Sequence, residues 1–229
     1  MCGQLGRAWG NDLFGPVEPR EEVCLAAEQH DTGWLEWEAA PTLDRATGLP
    51  HTFRTVHYTH HLAIHAAWSR ALVAQSRYAA LLVSMHHRSF FPPPGRFGRL
   101  RDGGRRIAEF RGDLERLEQE LRASLGASDD EVERNHRLVR TWDGLSHDLL
   151  LGLAPRVRTT VPTDSGTTDL SIGSSGGVHT VDPWPFQGDC VVVRTEGRLL
   201  RGTFEDEQAM RDALGRARWM ELTYELRPA

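Results

Sequence analysis

Residues 20–33 read REEVCLAAEQHDTG. Pro19 stands just before them, Glu21 and Glu22 come early, and Val23, Leu25, Ala26 and Ala27 fill the body. This predicts a helix. Proline costs little at a first turn, where the backbone N–H has no intrahelical partner, and early acids suit the positive end of the helix dipole. The helix runs into His30-Asp31-Thr32-Gly33, with Gly33 placed to end it. A histidine and an aspartate therefore stand side by side at a helix terminus.

The flanking chain repeats the helical pattern. Thr59 to about Gln75 places Leu62, Ala66, Ser69 and Val73 at helical spacing, and Tyr78 to His87 (YAALLVSMHH) predicts a second, more apolar helix of a length that also permits a strand. Arg105 to Leu125 is a charged helix striped by Phe110, Leu114, Leu117 and Leu121. Its polar face is expected to meet solvent or a second copy of the chain. Ser128-Asp129-Asp130-Glu131 caps a further helix, which carries Val132, His136, Val139, Trp142 and Asp143 and ends near Leu153. Met1 to Trp9 reads like the middle of an amphipathic helix, so the chain is expected to begin late relative to its relatives. Pro41, Gly48 and Pro50 make residues 34–53 a long, partly ordered loop, and Pro92-Pro93-Pro94 makes residues 90–104 another.

Beyond residue 155 the composition changes. Residues 161–177, rich in Thr, Ser and Gly, predict a flexible connector. Strands are expected over 189–195, 198–204 and 220–226, with a hairpin turn at Glu196-Gly197 and a short helix over 207–218. The fold expected is thus mainly α: a helical domain over residues 1–155, then a linker and a small α+β (ββαβ) extension over 156–229.

A formal net charge of -5 gives no reason to expect nucleic acid or an anionic membrane as a partner. All 27 basic residues are arginine, which removes lysine as a base, nucleophile or phosphate ligand. Cys2, Cys24 and Cys190 form no CxxC pair, so neither a disulfide framework nor a cysteine zinc site is expected. No apolar run reaches the length of a membrane span, and no basic-then-apolar leader opens the chain, so the cytoplasm is the expected compartment.

Eight of the 11 histidines fall between His30 and His87. Imidazole is costly to bury but is the commonest ligand for zinc, iron and similar ions. The octet Ala26-Ala27-Glu28-Gln29-His30-Asp31-Thr32-Gly33 resembles the signature of the HD-domain superfamily, in which a hydrophobic helix ends in a His-Asp doublet. His61, His86 and Asp143 follow on successive helices, in the order of that superfamily's dinuclear branch. The stretches HDTGWLEWEAAPTLD, HLAI, ALLVSMH, WDGLSHDLL and VDPWPF are similar to a bacterial HD-like family of unknown function.

The resemblance implies a helical fold with metal ligands His30, Asp31, His61, His86 and Asp143. Two divalent ions are expected, iron or manganese first, with magnesium, nickel, cobalt or zinc as other candidates. Asp31 would bridge them, and Asp31 and His147, four residues beyond Asp143, are the catalytic candidates. The expected activity is a metal-dependent hydrolase of a small molecule, of the phosphoester class, using metal-activated water. The alternatives are a mixed-valent di-iron oxygenase and a degenerate, non-catalytic binding protein. Two departures stand out. No histidine precedes His30, where the superfamily carries one on an upstream helix, so the start is shortened, another residue substitutes, or one metal is held weakly. Trp34 occupies the position of a common lysine, leaving Arg54, Arg70, Arg88 and Arg96 as candidate phosphate contacts. His60, His65 and His87 read as non-ligands.

Overall fold

Apolar side chains at helical spacing fold the first two thirds of the chain into helices, in a computed structural model that describes residues 1–91 and 101–229, the side chains of 101–103 excepted. The helices are α1 (Cys2–Ala8), α2 (Arg20–Gln29), α3 (Leu35–Ala39), α4 (Tyr58–Ala71), α5 (Arg77–Ser89), α6 (Arg101–Leu125) and α7 (Asp129–Leu150). Ser76 and Ser128 cap α5 and α7, their hydroxyls accepting from the N–H of Ala79 and Glu131. Such a cap contributes about 1 kcal/mol. Every residue of α5 from Tyr78 to His87 is buried, which explains its continuous apolar run. Around it pack α2, α4, α6 and α7. Arg88 of α5 grips the buried Glu118 of α6 through two nitrogens, the closest contact 2.8 Å, and so joins the two helices. The segment 34–53 holds α3 and a two-stranded ribbon, β1 (Leu43–Asp44) and β2 (Leu49–Pro50). Of the loop expected over 90–104, residues 92–100 lie outside the described residues, and the last four belong to α6.

The expectation of a mainly α, all-helical fold with a ββαβ tail is overturned: the protein is α+β. Strands β3 (Arg156–Pro162), β4 (Thr167–Ser175), β5 (Val178–Asp182), β6 (Val191–Leu199) and β7 (Arg218–Pro228) form one five-stranded sheet in the order β3-β4-β5-β7-β6. All pairs are antiparallel except β5 with β7, so the sheet is mixed. The connector expected over 161–177 is in fact the end of β3, the turn after it and all of β4. Threonine is β-branched and suits a pleated surface, and a sheet covered on one face needs few apolar positions per strand; in β4, Leu170 and Ile172 alone turn inward. Nor is there a hairpin at Glu196-Gly197. Strand β6 runs through that pair to Leu199, with Gly197 in register opposite Met220 of β7. Helix α8 (Glu207–Arg216) joins the two.

Aromatic packing joins the sheet to the helices. Trp9, just past α1, meets Phe14, Phe186 and Trp142 of α7 edge-to-face at centroid distances of 5.2, 5.4 and 5.9 Å. A backbone bridge pairs Trp9 with Phe186, and Asn11 donates to the Trp184 carbonyl. One hydrophobic cluster consequently runs from Leu5 and Leu82 to Val161, Ile172, Val193 and Leu226. Gln4 of α1 pairs its amide with both backbone groups of Arg194 on the edge strand β6, at 2.7 and 2.9 Å. Arg158 of β3 clamps the buried Asp148 of α7 at 2.6 and 2.9 Å, crossing α7 at Gly144, where a Cβ would sit 2.8 Å from the guanidinium carbon. Among the described residues no helix is long and apolar enough to cross a membrane.

Candidate metal centre

A helix ends with several carbonyls unpaired, and side chains close the end of α2. His30 Nδ1–H donates to Ala27 O at 3.0 Å, Trp68 Nε1–H to Gln29 O at 2.6 Å, and His87 Nε2–H to His30 O at 2.8 Å. A carbonyl only accepts, so each of these nitrogens carries the hydrogen. Ser69 then donates to His87 Nδ1 at 2.9 Å, completing that ring. Helix α2 stops at Gln29, and Gly33 serves a purpose other than ending it. The 3-10 turn Thr32–Trp34 lies against α4 so closely that a Cβ on Gly33 would stand 2.8 Å from Trp68 Cβ.

These contacts turn His30 Nε2 toward two carboxylates, 3.1 Å from Asp31 Oδ2 and 3.4 Å from Asp143 Oδ1. His86 Nε2 lies 3.5 Å from the other oxygen of Asp143, and His147 Nε2 3.7 Å from Oδ1. Asp143 is thus a hub for imidazoles from three helices. Close as they are, His30 Nε2 is aligned with neither carboxylate for a hydrogen bond, and neither ring nitrogen of His86 has a partner. His30 is 5% and His86 1% exposed. Buried imidazole nitrogens without partners, set around a buried carboxylate, are the donor types a divalent transition ion takes, and these residues fit one.

The electrostatics follow from the same contacts. Burial pulls the His30 imidazolium down, but Asp31 and Asp143 outweigh it and hold its pKa well above the ordinary value. Burial pushes Asp143 up, and His30 and His86 together bring it well below the ordinary carboxylate range. Burial dominates at His86 and lowers it. Asp31 is lowered as well: desolvation raises it, His30 more than offsets that, and water screens the effect because 59% of its side chain is exposed. The two carboxylates call for positive charge at His30 Nε2, which a proton or a metal ion satisfies.

Asp31, Asp143 and His147 open onto a cleft of about 900 Å³. Its walls carry Trp34, Trp37, Phe53, Phe90 and Phe91, with Arg54 and Arg198 as cations. The His147 ring stacks on Phe53, centroids 5.3 Å apart. The structure thus gathers His30, Asp31, His86, Asp143 and His147. His61 stands apart from this group: it lines the cleft edge-on to Trp34, and its Nε2–H donates to Phe53 O at 2.7 Å. Of the candidate phosphate contacts, Arg54 reaches the cleft, Arg70 pairs with Asp113, Arg88 is held by Glu118, and Arg96 lies outside the described residues.

Two participants escaped the sequence. Cys2 of α1 comes within 4.8 Å of ligand atoms of both His30 and Asp143, its thiol donating to Ser146 Oγ at 3.3 Å and its pKa raised by burial. The one local signal was that α1 holds no other side chain able to ligate a metal. Arg198 comes from β6, some 140 residues downstream of Arg54, and nothing local announces it.

The model of a protein family described as a protein of unknown function (DUF3891) matches residues 1–202. No curated protein and no solved structure matches the chain.

Proposed function

The chain belongs to the DUF3891 family, and from that premise we propose that it is a metal-dependent hydrolase with a centre of the HD-superfamily kind, acting on a small anionic substrate. The observation that carries this is the convergence of the buried His30 and His86, their Nε2 atoms without hydrogen-bond partners, on Asp143, which itself lines an aromatic-walled cleft.

His30, His86 and Asp143 would hold a divalent ion, with Asp31 on the open side. Such an ion supplies a nucleophile at neutral pH by lowering the pKa of water. The protein's own groups do the rest. The bond from His30 Nδ1–H to Ala27 O keeps the Nε2 lone pair turned to the site. Asp31, open to the cleft, orients water. His147 is 37% exposed, beside Asp143, and its Nε2 is placed to hand a proton to a leaving oxygen. Arg54 and Arg198 attract an anionic group such as a phosphoester, and the aromatic walls receive an apolar leaving group and exclude water. The oxygenase alternative needs a second ion, and it draws less support because the His61 Nε2 is engaged by a carbonyl.

Elemental mass spectrometry on untagged protein, followed by hydrolysis of bis(p-nitrophenyl) phosphate without oxygen, tests the proposal. We expect about one equivalent of metal per chain, retained in His61→Ala and lost in Asp143→Ala. His147→Ala should keep the metal and lose about 10²-fold or more in kcat. Protein that binds no ion after reconstitution with zinc, iron or manganese would end this interpretation. Turnover that requires dioxygen would replace it with the oxygenase.

A further inference from the structure

Helix α1 is drawn onto the two helices that carry His30 and Asp143 by its own glycines. A Cβ on Gly3 would stand 2.0 Å from Glu28 Cγ of α2, and one on Gly6 would stand 3.0 Å from the Trp142 ring of α7. At Gly6 the buried Trp142 ring leaves no room for a larger residue without a shift, and at Gly3 one would displace the Glu28 side chain. The close approach sets Cys2 at the junction of α2 and α7, buried, with Sγ, a His30 ring nitrogen and an Asp143 oxygen all within 4.8 Å of one another. The Ser146 hydroxyl donates to the Asp143 carbonyl at 2.8 Å and so presents its oxygen to the thiol, which fixes Sγ toward Asp143. The Nε2 atoms of His30 and His86, both buried and without hydrogen-bond partners, lie 3.4 and 3.5 Å from the same carboxylate.

We propose that Cys2 is a metal ligand, and that Cys2, His30, His86 and Asp143 form a mixed sulfur, nitrogen and oxygen site that selects a thiophilic ion (zinc, ferrous iron or cobalt) over magnesium. This rests on the metal site proposed above and goes beyond it in naming the fourth ligand and the class of ion. Thiolate and imidazole suit zinc, iron and cobalt, whereas magnesium takes oxygen ligands and gives up its water reluctantly. Binding releases the thiol proton to solvent, so the thiolate and the ion form the bond while one proton leaves the protein. Ser146 is a positioning residue.

Cobalt(II) titration of metal-free protein under argon reads the thiolate directly. Bound through Cys2, cobalt should develop an intense near-ultraviolet sulfur-to-cobalt charge-transfer band that saturates at about one ion per chain. The band should persist in Cys24→Ser/Cys190→Ser, where Cys2 is the sole thiol and its own position is untouched. In Cys2→Ser it should vanish, with cobalt held about tenfold or more less tightly. A hundredfold excess of magnesium should leave the band intact. Cobalt binding without the band, loss of the band in the double variant, or displacement by magnesium would each overturn the Cys2 assignment while leaving the metal site in place. No cobalt binding at all would overturn both.

Discussion

His65 and His87 lie ring against ring in the core, centroids 4.1 Å apart. Burial, together with the neighbouring imidazole of His86, pushes His87 down from 6.5 to about 3. Burial, with His87 beside it, depresses His65 further still. A histidine whose pKa is lower in the folded than in the unfolded chain takes up its proton on unfolding. Its contribution is therefore constant above about pH 6.5 and is lost as the pH falls below that, by up to about 1.4 kcal/mol per pH unit for each such residue. His30 has the opposite sign: its raised pKa stabilises the fold below 6.5, and that contribution fades as pH rises through the folded value. Three depressed histidines, His65, His86 and His87, stand against the one raised, so the protein is expected to weaken in mild acid. Urea midpoints at about pH 7 and about pH 5 should differ strongly for the natural chain and less for His65→Leu. Equal differences in the two proteins would show that His65 is not held neutral by burial.

Helix ends and turns, more than helix bodies, build the centre. The turn after α2 carries the doublet, and its position is set by how closely Thr32–Trp34 rests on α4. Gly33→Ala would place a methyl group 2.8 Å from Trp68 Cβ and 3.1 Å from Ile64 Cγ2. Trp68 Cβ is fixed to its helix backbone, and the Ile64 methyl sits on a β-branched carbon with few rotamers, so the turn must lift, at a cost of about 1–3 kcal/mol. Calorimetry should show a melting temperature lower by about 2–8 °C, and metal affinity should fall with it as Asp31 moves. An unchanged melting point would mean that α4 yields instead. At this level the sequence was largely readable: α2 spans Arg20–Gln29 as its Pro19 and glutamates predict, and Ser128 caps α7 as its first turn predicts. The sheet was not, because alternation in β3 and β4 is carried by few apolar residues among many threonines and serines.

The hydrophobic cluster that includes Trp9 and Trp142 also includes Val161, Leu170 and Phe186, so helices and sheet share a core across residue 155. A chain ending at residue 155 would expose Trp9 and Leu5 and lose both Gln4 contacts to β6. Burying an aromatic or a leucine side chain contributes about 1.5–3 kcal/mol each, against a total stability of about 5–15 kcal/mol. We expect the truncated chain to lack a cooperative thermal transition by circular dichroism; a sharp transition would show that the helices stand alone. The sheet also adds Arg198 to the cleft wall. What the sequence determined by itself was the long helices and the doublet at the end of α2, which rest on local rules of capping and spacing. His86 and Asp143 came as its companions through the family resemblance, and α3 lay in a stretch expected to be loop. The tertiary structure alone decided that His61 turns to a backbone carbonyl, that Cys2 meets His30 and Asp143, and that the threonine-rich stretch is sheet. Such outcomes depend on which distant backbone lies alongside, and no window of sequence contains both partners.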